Sequence, residues 1–265
     1  MTRSETASLL DFAYRTAIAA GPGILSHFRQ PISIDNKGGT DLYDPVTEAD
    51  RAAETVIRRA IATAYPGHGI RGEEQGWQRG TTPYTWVIDP IDGTRSFILG
   101  QMHWATLIAL NDGEGVVVGV AHQPYVGESF LGFAGGQALW RRDGAQRSLH
   151  TRRCASIRDA VVACTDPAMF REPSELAAFQ RVAAEARLTR YGGDCYAYCM
   201  VAAGHVDLVI ETELKPHDVM ALVPIVQGAG GIMTTWENGP PQHGGRIVAA
   251  GDRRVHAQAL QLLNR

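Results

Sequence analysis

The sequence lacks long apolar runs and any excess of positive charge. No stretch approaches 18 consecutive apolar residues, and residues 1–10 lack the basic and apolar regions of a secretory signal. We therefore expect no membrane partner and a cytoplasmic location. The net charge of −3 provides no global positive field, so we also expect no nucleic-acid partner.

Cysteine is scarce as well. Four cysteines among 265 residues are too few and too irregularly spaced for a disulfide framework. Cys195 and Cys199 have the i,i+4 spacing of one helix face, which would suit a soft metal. No other Cys or His pair has zinc-site spacing, so buried, reduced thiols are the favoured interpretation.

The apolar patterns predict helices and strands in two different halves. Helical spacing covers residues 5–29 and 47–65, with Gly21-Pro22-Gly23 interrupting the first helix. Strand patterns follow, including a hairpin around Asn111-Asp112-Gly113. Beyond about residue 144 strands and helices alternate, which predicts an α/β half with mixed sheet pairing. We expect an N-terminal α+β half over residues 1–147, a C-terminal α/β half over residues 148–265, and a cleft between them.

The strongest chemical signal is the segment Asp89-Pro-Ile-Asp-Gly-Thr94. An apolar strand over residues 85–88 delivers two carboxylates, Asp89 and Asp92, at its carboxyl end. Mg²⁺ requires oxygen ligands, and two aspartates with the Ile91 carbonyl between them can serve one or two such ions. The alternative is an Asp-Pro turn followed by an Asp-Gly turn.

The residues after this pair suit an anion. We expect Gly93 to form a turn, and Thr94 and Arg95 to begin a helix or turn whose free N–H groups can hold a phosphate.

Other acids are ambiguous when taken singly. Two adjacent acids, Glu73 and Glu74, cannot both point into one pocket from an extended chain, so one would be a ligand. Asp50 forms a capping-box pattern with Thr47, although a first-turn carboxylate can also face a cleft. Asp218 precedes a predicted helix over residues 219–228 and has the alternative role of an N-cap.

The combination of these motifs resembles the inositol monophosphatase superfamily of Mg²⁺-dependent phosphatases. The resemblance spans nearly the whole chain and rests on these segments in this order: Lys37-Gly-Gly-Thr40, Asp44-Pro-Val-Thr47-Glu-Ala-Asp50, Gly72-Glu-Glu74, Asp89–Thr94 and Asp218. It implies an α/β (α+β) fold, a layered αβαβα sandwich with the site between its halves. It also implies a homodimer.

The resemblance assigns roles by position. The implied metal ligands, for two or three Mg²⁺ ions with Mn²⁺ as a substitute, are Glu73, Asp89, the Ile91 carbonyl, Asp92 and Asp218. The implied catalytic residues, which activate the attacking water, are Asp50, Glu73 and Thr94. Backbone amides of Gly93 and Thr94 would hold the phosphate. The full set of expected substrate-binding residues is Asp92, Gly93, Thr94, Arg95, Arg190, Asp194, Glu211 and Asp218.

Two segments depart from the inositol enzymes, which usually have Trp before the last metal aspartate. Lys215-Pro-His-Asp218 and Arg190-Tyr-Gly-Gly-Asp194-Cys-Tyr-Ala-Tyr198 are similar to the histidinol-phosphate phosphatase branch. Histidinol phosphate carries an ammonium and an imidazole, so acids at Asp194 and Glu211 would suit it. Arg190 would contact the phosphate or balance Asp194. The alternatives are a helix cap for Asp194, a surface acid for Glu211 and a surface ion pair for Arg190.

The expected function is therefore hydrolysis of L-histidinol phosphate in histidine biosynthesis, by a metal-activated water. Hydrolysis of inositol-1-phosphate or of sugar phosphates in general is the main alternative, and a 3′-nucleotide phosphatase is less favoured. A non-catalytic sensor of phosphate ligands is the alternative from another class. His217 is interpreted as a packed or rim histidine.

Overall fold

The computed structural model describes residues 2–37 and 45–265, and within them the chain forms eight α-helices and three sheets. The helices are α1 (Arg3–Leu25), α2 (Glu48–Ala64), α3 (Thr94–Ile98), α4 (Pro173–Glu185), α5 (Asp194–Ala202), α6 (Pro216–Val219), α7 (Leu222–Gly228) and α8 (Arg253–Leu263).

Fifteen strands fall within the same described residues. They are β1 (Ile34–Asn36), β2 (Pro45–Thr47), β3 (Gly69–Gly72), β4 (Gly76–Gln78), β5 (Thr85–Asp92), β6 (Ala105–Asn111), β7 (Val116–Gln123), β8 (Glu128–Phe133), β9 (Leu139–Arg142), β10 (Ala145–Ser148), β11 (Val161–Cys164), β12 (Leu188–Tyr191), β13 (Leu208–Leu214), β14 (Ile232–Thr235) and β15 (Gly245–Ala250).

Two large sheets alternate with three helical layers. The first sheet has the order β10-β9-β8-β7-β6-β5-β3-β4, and the second has the order β12-β11-β13-β15-β14. Helices α1 and α2 cover the outer face of the first sheet, α5 and α7 lie between the sheets, and α4 and α8 cover the second sheet. The predicted αβαβα sandwich is confirmed.

Burial on both faces explains why the central strands are almost wholly apolar. In β5, Trp86 and Ile88 pack in the core shared with α1 and α2, whereas Val87 packs in the core between the sheets. The second sheet has the predicted mixed pairing, since β11 is parallel to β12 and β13 and β15 is antiparallel to its neighbours.

Several predicted boundaries need correction. Strand β5 continues through Asp92 instead of ending at residue 88. Helix α1 runs through Pro22 to Leu25, so Gly21-Pro22-Gly23 does not interrupt it, although Pro22 lacks the amide that would donate to the carbonyl four residues earlier. The helix predicted over residues 219–228 is two short helices, α6 and α7. The predicted hairpin is confirmed, as β6 pairs antiparallel with β7.

The strands separate into two sheets near the position at which the sequence predicts a change in the pattern of helices and strands. Those of the first sheet end at Ser148 and those of the second begin at Val161. One apolar core joins both sheets through α5 and α7. A division into halves at residues 147 and 148 stays a prediction. Among the described residues, the helices are all too short or too polar to cross a bilayer.

Candidate active site

The carboxyl end of β5 supplies the first pair of acids. Its pairing with β6 shifts register between Asp89 and Asp92, and Thr106 Oγ1 donates to the Pro90 carbonyl at 2.8 Å across this irregularity. Both carboxylates thereby reach the cleft between the sheets. The Asp89 Oδ1 atom accepts from the Ile91 amide at 3.1 Å, and the Asp92 Oδ2 atom accepts from the Cys195 amide at 2.8 Å.

Gly93 ends the strand and begins the turn into α3. Its φ of 87° is a left-handed conformation that favours glycine, and an added Cβ would lie 2.5 Å from the His103 carbonyl oxygen. Helix α3 begins at Thr94, as predicted. The Thr94 hydroxyl donates to the Ile91 carbonyl at 3.1 Å. That carbonyl keeps a second lone pair for another partner.

Glu73 lies in the loop after β3, and Glu54 of α2 holds that loop in place. The buried Glu54 carboxylate accepts from the Glu74 and Gln75 amides at 2.7 and 3.0 Å and from Arg58 Nε at 2.6 Å. An added Cβ at Gly72 would clash with the Glu54 carboxylate at 2.0 Å. The loop therefore has no room to move toward α2.

Lys37 binds both acids of the Glu73-Glu74 pair. Its Nζ lies 2.8 Å from Glu73 Oε1 and 2.7 Å from Glu74 Oε1. The turn after β3 bends both side chains toward this one ammonium, although the two acids are adjacent in the chain. Only Glu73 of the two lines the cleft.

Asp50 occupies the first turn of α2 and forms the predicted capping box with Thr47, and it is not among the residues that line the cleft. Its Oδ2 atom accepts from the Thr47 amide at 2.9 Å and from the Thr47 hydroxyl at 2.5 Å. Its Oδ1 atom is buried without a hydrogen-bond partner among the described residues. A buried carboxylate oxygen of this kind needs a water, a proton or a cation.

Asp218 lies in α6, which follows β13 of the second sheet. It is the third residue of α6, with Lys215 at the N-cap, so its interpretation as an N-cap residue is wrong. The Lys215 amide donates to Asp218 Oδ2 at 2.6 Å, and His217 Nε2 lies 3.4 Å from Asp218 Oδ1.

The opposite wall carries Asp194 and Glu211. Asp194 begins α5 with a φ of 44°, and its Oδ2 atom accepts from Ser96 Oγ of α3 at 2.7 Å. Glu211 lies on β13 and is only 2% exposed, so its interpretation as a surface acid is wrong. Its carboxylate accepts from the Thr165 amide and from the Tyr198 hydroxyl, both at 2.8 Å.

Burial and mutual repulsion disfavour the charged forms of most of these acids. Glu73 is different, since burial raises its pKa but the neighbouring His217 and Lys37 lower it by more. Burial and repulsion raise the pKa values of Asp89 and Asp92 well above the ordinary range. Burial, with repulsion from Glu73, raises the pKa of Asp218 to about 7 and that of Asp50 to about 6. Burial also raises the pKa of Glu211 to about 7.

The donor set fits a hard divalent cation. Among the residues that the structure describes, two groups have ligand atoms within 4.8 Å of one another, namely Glu73 with Asp89 and His217, and Asp89 with Asp92 and Asp218. Asp89 is common to both groups. A divalent cation would relieve the repulsion that raises these pKa values, and oxygen-rich sites of this kind suit Mg²⁺ and Mn²⁺.

The cleft has a volume of about 380 Å³ and brings most of the predicted site residues together. Its lining includes all the predicted metal ligands and Gly93, Thr94, Arg95, Asp194 and Glu211.

The prediction that Arg190 binds the substrate needs correction. Arg190 is exposed on β12, the edge strand of the second sheet, and is absent from the residues that line the cleft. The motif residues at positions 38–40 and 44 lie outside the described part of the chain.

Several residues of the cleft were not predicted from the sequence, and His217 and Thr165 are two of them. His217 joins Glu73 and Asp89, and the signal was its place directly before Asp218. Thr165 follows β11 and binds Glu211 and the Asp194 amide. Sites in α/β sheets gather at the carboxyl ends of parallel strands, so the residue after β11 was a candidate.

Comparison with known proteins gives concordant matches. The model of the inositol monophosphatase family matches residues 5–265. The bifunctional phosphatase IMPL2 of Arabidopsis thaliana is 39% identical over 93% of this chain and 72% of its own, and a histidinol-phosphatase of Streptomyces coelicolor is 38% identical over 83% and 84%. The solved structure of an inositol monophosphatase from Zymomonas mobilis is 37% identical, with a TM-score of 0.87 over the whole of both chains.

Proposed function

Because this chain belongs to the inositol monophosphatase family of metal-dependent phosphatases, we propose that it hydrolyses L-histidinol phosphate to L-histidinol and phosphate with Mg²⁺ as its cation. The observation that carries the proposal is the pair of acids, Asp194 and Glu211, on the wall opposite the ligand cluster. Carboxylates can accept hydrogen bonds from the hydroxyls of a neutral polyol, but only a substrate with an ammonium or a protonated imidazole gains a charge-assisted interaction there. The histidinol-phosphatase of Streptomyces coelicolor is a relative that supports this substrate.

In the proposed mechanism, the chain orients the ester and accepts the proton of the attacking water. Glu73, Asp89, the Ile91 carbonyl, Asp92 and Asp218 would hold the cations. Bound Mg²⁺ would polarise the phosphate and the attacking water and would stabilise the charge on the leaving oxygen.

The Thr94 hydroxyl donates to Ile91, so its oxygen can accept a hydrogen bond from the attacking water and orient it. Asp50 or Glu73 would take the proton, and the unpartnered Asp50 Oδ1 atom favours Asp50. The backbone amides of Gly93 and Thr94 would bind the phosphate. By this account the protein acts in the cytoplasm, in histidine biosynthesis, as a homodimer.

A second candidate is inositol-1-phosphate, because the Zymomonas mobilis inositol monophosphatase matches the whole chain at nearly the same identity as the histidinol-phosphatase relative. A catalytically silent phosphate sensor is disfavoured by the retention of Asp50 and Thr94, which a sensor does not need.

Phosphate release from histidinol phosphate, with and without Mg²⁺, tests the proposal. We expect Mg²⁺-dependent turnover that falls by about 100-fold or more in Asp92→Asn, since removing one group that acts on transition-state charge costs that much. The variant should fold, because an asparagine oxygen can still accept from the Cys195 amide. Near-full activity in a folded Asp92→Asn protein would refute the assignment.

A further inference from the structure

His217 is a cleft residue to which the proposed mechanism gives no role. Its ring nitrogen lies within 4.8 Å of carboxylate oxygens of Glu73 and Asp89, and these atoms form a compact group of three donors. We propose that His217 is a nitrogen ligand of the cation held by Glu73 and Asp89. This inference rests on the metal site of the proposed function.

The local fold directs the ring into the cleft. Pro216 begins α6, and the Lys215 amide fixes Asp218 through a hydrogen bond of 2.6 Å. The His217 side chain is only 10% exposed, and its Nε2 atom lies 3.4 Å from Asp218 Oδ1. The imidazole is therefore close both to the Glu73–Asp89 pair and to Asp218.

A nitrogen donor changes which cation the site prefers. Carboxylates and carbonyls suit Mg²⁺ and Mn²⁺ alike, whereas imidazole, a softer donor, strengthens binding of transition-metal ions more than binding of Mg²⁺. With His217 as a ligand, this position would favour Mn²⁺ over Mg²⁺ more than an all-oxygen site would. The second group, Asp89 with Asp92 and Asp218, has only oxygen donors and would keep its affinity for Mg²⁺.

Pulsed electron paramagnetic resonance of the Mn²⁺-loaded wild-type protein tests direct ligation. We expect a nitrogen coupling that changes when histidine is labelled with ¹⁵N and that disappears in His217→Phe and His217→Gln. His205→Gln is the matched control, because His205 is exposed near the end of α5, and it should keep the coupling. The glutamine variant covers the case in which phenylalanine prevents folding.

Binding titrations give a second readout. We expect His217→Phe to raise the Mn²⁺ dissociation constant about tenfold or more and the Mg²⁺ constant by less than about threefold, since imidazole contributes mainly to transition-metal affinity. Mn²⁺ binding without histidine coupling in the wild type, or coupling that survives in both variants, would overturn the inference and leave the proposed function intact. Failure of the wild type to bind Mn²⁺ or Mg²⁺ would overturn both.

Discussion

At the scale of single residues, the site separates acids that suit a cation from acids that suit an organic substrate. Asp89 and Asp92 lie at the end of one strand, where burial and repulsion oppose their charge unless a cation is near. Asp194 lies on the other side of Gly93, and its Cβ is 3.1 Å from the position that a Gly93 side chain would occupy. Gly93 thus brings the two groups of acids close together.

Asp194→Asn tests the role of this second group. Asparagine tolerates the left-handed φ of 44° and keeps an acceptor for Ser96, so the fold should be unchanged. We expect kcat/KM for histidinol phosphate to fall about tenfold or more, equal to about 1.4 kcal/mol or more, because a charge facing the substrate cation is lost. The value for inositol-1-phosphate should change by less than about threefold, since a neutral polyol lacks that interaction.

The matched control is Glu213→Gln, which removes an exposed acid at the mouth of the same cleft. Solvent screens this charge, so both esters should be affected little. Equal losses for both esters in Asp194→Asn would show that Asp194 acts on the fold or the chemistry and does not select the substrate.

At the scale of elements, the first sheet approaches the α6–α7 connection and the start of α7 closely, and this contact positions Asp218. A Cβ at Gly119 of β7 would lie 2.1 Å from the Ala221 carbonyl oxygen, and one at Gly132 of β8 would lie 2.3 Å from the Pro224 carbonyl carbon. Only glycine at these two positions allows the strands to pack this closely against the backbone of residues 221 and 224. Asp218 lies three residues before Ala221, so its distance from β5 depends on this contact.

Gly119→Ala should therefore lower the free energy of unfolding in urea by about 1–3 kcal/mol, the usual cost of overpacking. It should also weaken Mg²⁺ binding, because it pushes Asp218 away from Asp89. Gly23→Ala is the control, since nothing lies within 4 Å of a Cβ there and alanine favours the helix. Equal stability of the two variants would contradict the proposed contact.

Element patterns also explain what the sequence could predict. Strand β5 is an apolar run that ends in two aspartates, so local pattern was sufficient for the first wall. Glu211 was predicted as a substrate-binding acid, but the alternative of a surface acid stayed open, because its partners Thr165 and Tyr198 are distant in the chain and only the fold brings them together. For the same reason the sequence did not predict the salt bridges from Lys37 to Glu73 and Glu74. The prediction for Arg190 failed because the alternation of side chains along a short edge strand does not reveal which of them line a cleft.

At the scale of the whole molecule, the cluster of buried acids couples stability to pH and to the cation. The pKa values of Asp218 and Glu211 rise to about 7 by burial, and that of Asp50 rises to about 6. A raised carboxyl pKa contributes stability that is complete below the ordinary pKa near 4 and is lost as pH rises through the folded value. The metal-free protein should lose this contribution between about pH 4 and pH 7.5.

Addition of Mg²⁺ should therefore raise the melting temperature more at pH 8 than at pH 6. At pH 6 the cation must displace protons from the acids, whereas at pH 8 the carboxylates are charged and repel one another without it. Differential scanning fluorimetry in EDTA and in Mg²⁺ measures both values. Buried histidines away from the cleft, such as His122, contribute equally in both buffers and cancel. An equal or larger increase at pH 6 would contradict this account.

The most direct test of the account is the ratio of kcat/KM for histidinol phosphate to that for inositol-1-phosphate, measured on the wild-type protein with Mg²⁺. The acids at Asp194 and Glu211 predict a ratio of about ten or more, because tenfold corresponds to only about 1.4 kcal/mol of differential binding. A tenfold preference for inositol-1-phosphate would contradict the proposed substrate while leaving the metal cluster in place. Failure to release phosphate from either ester, with Mg²⁺ or Mn²⁺, would contradict the proposed catalysis itself.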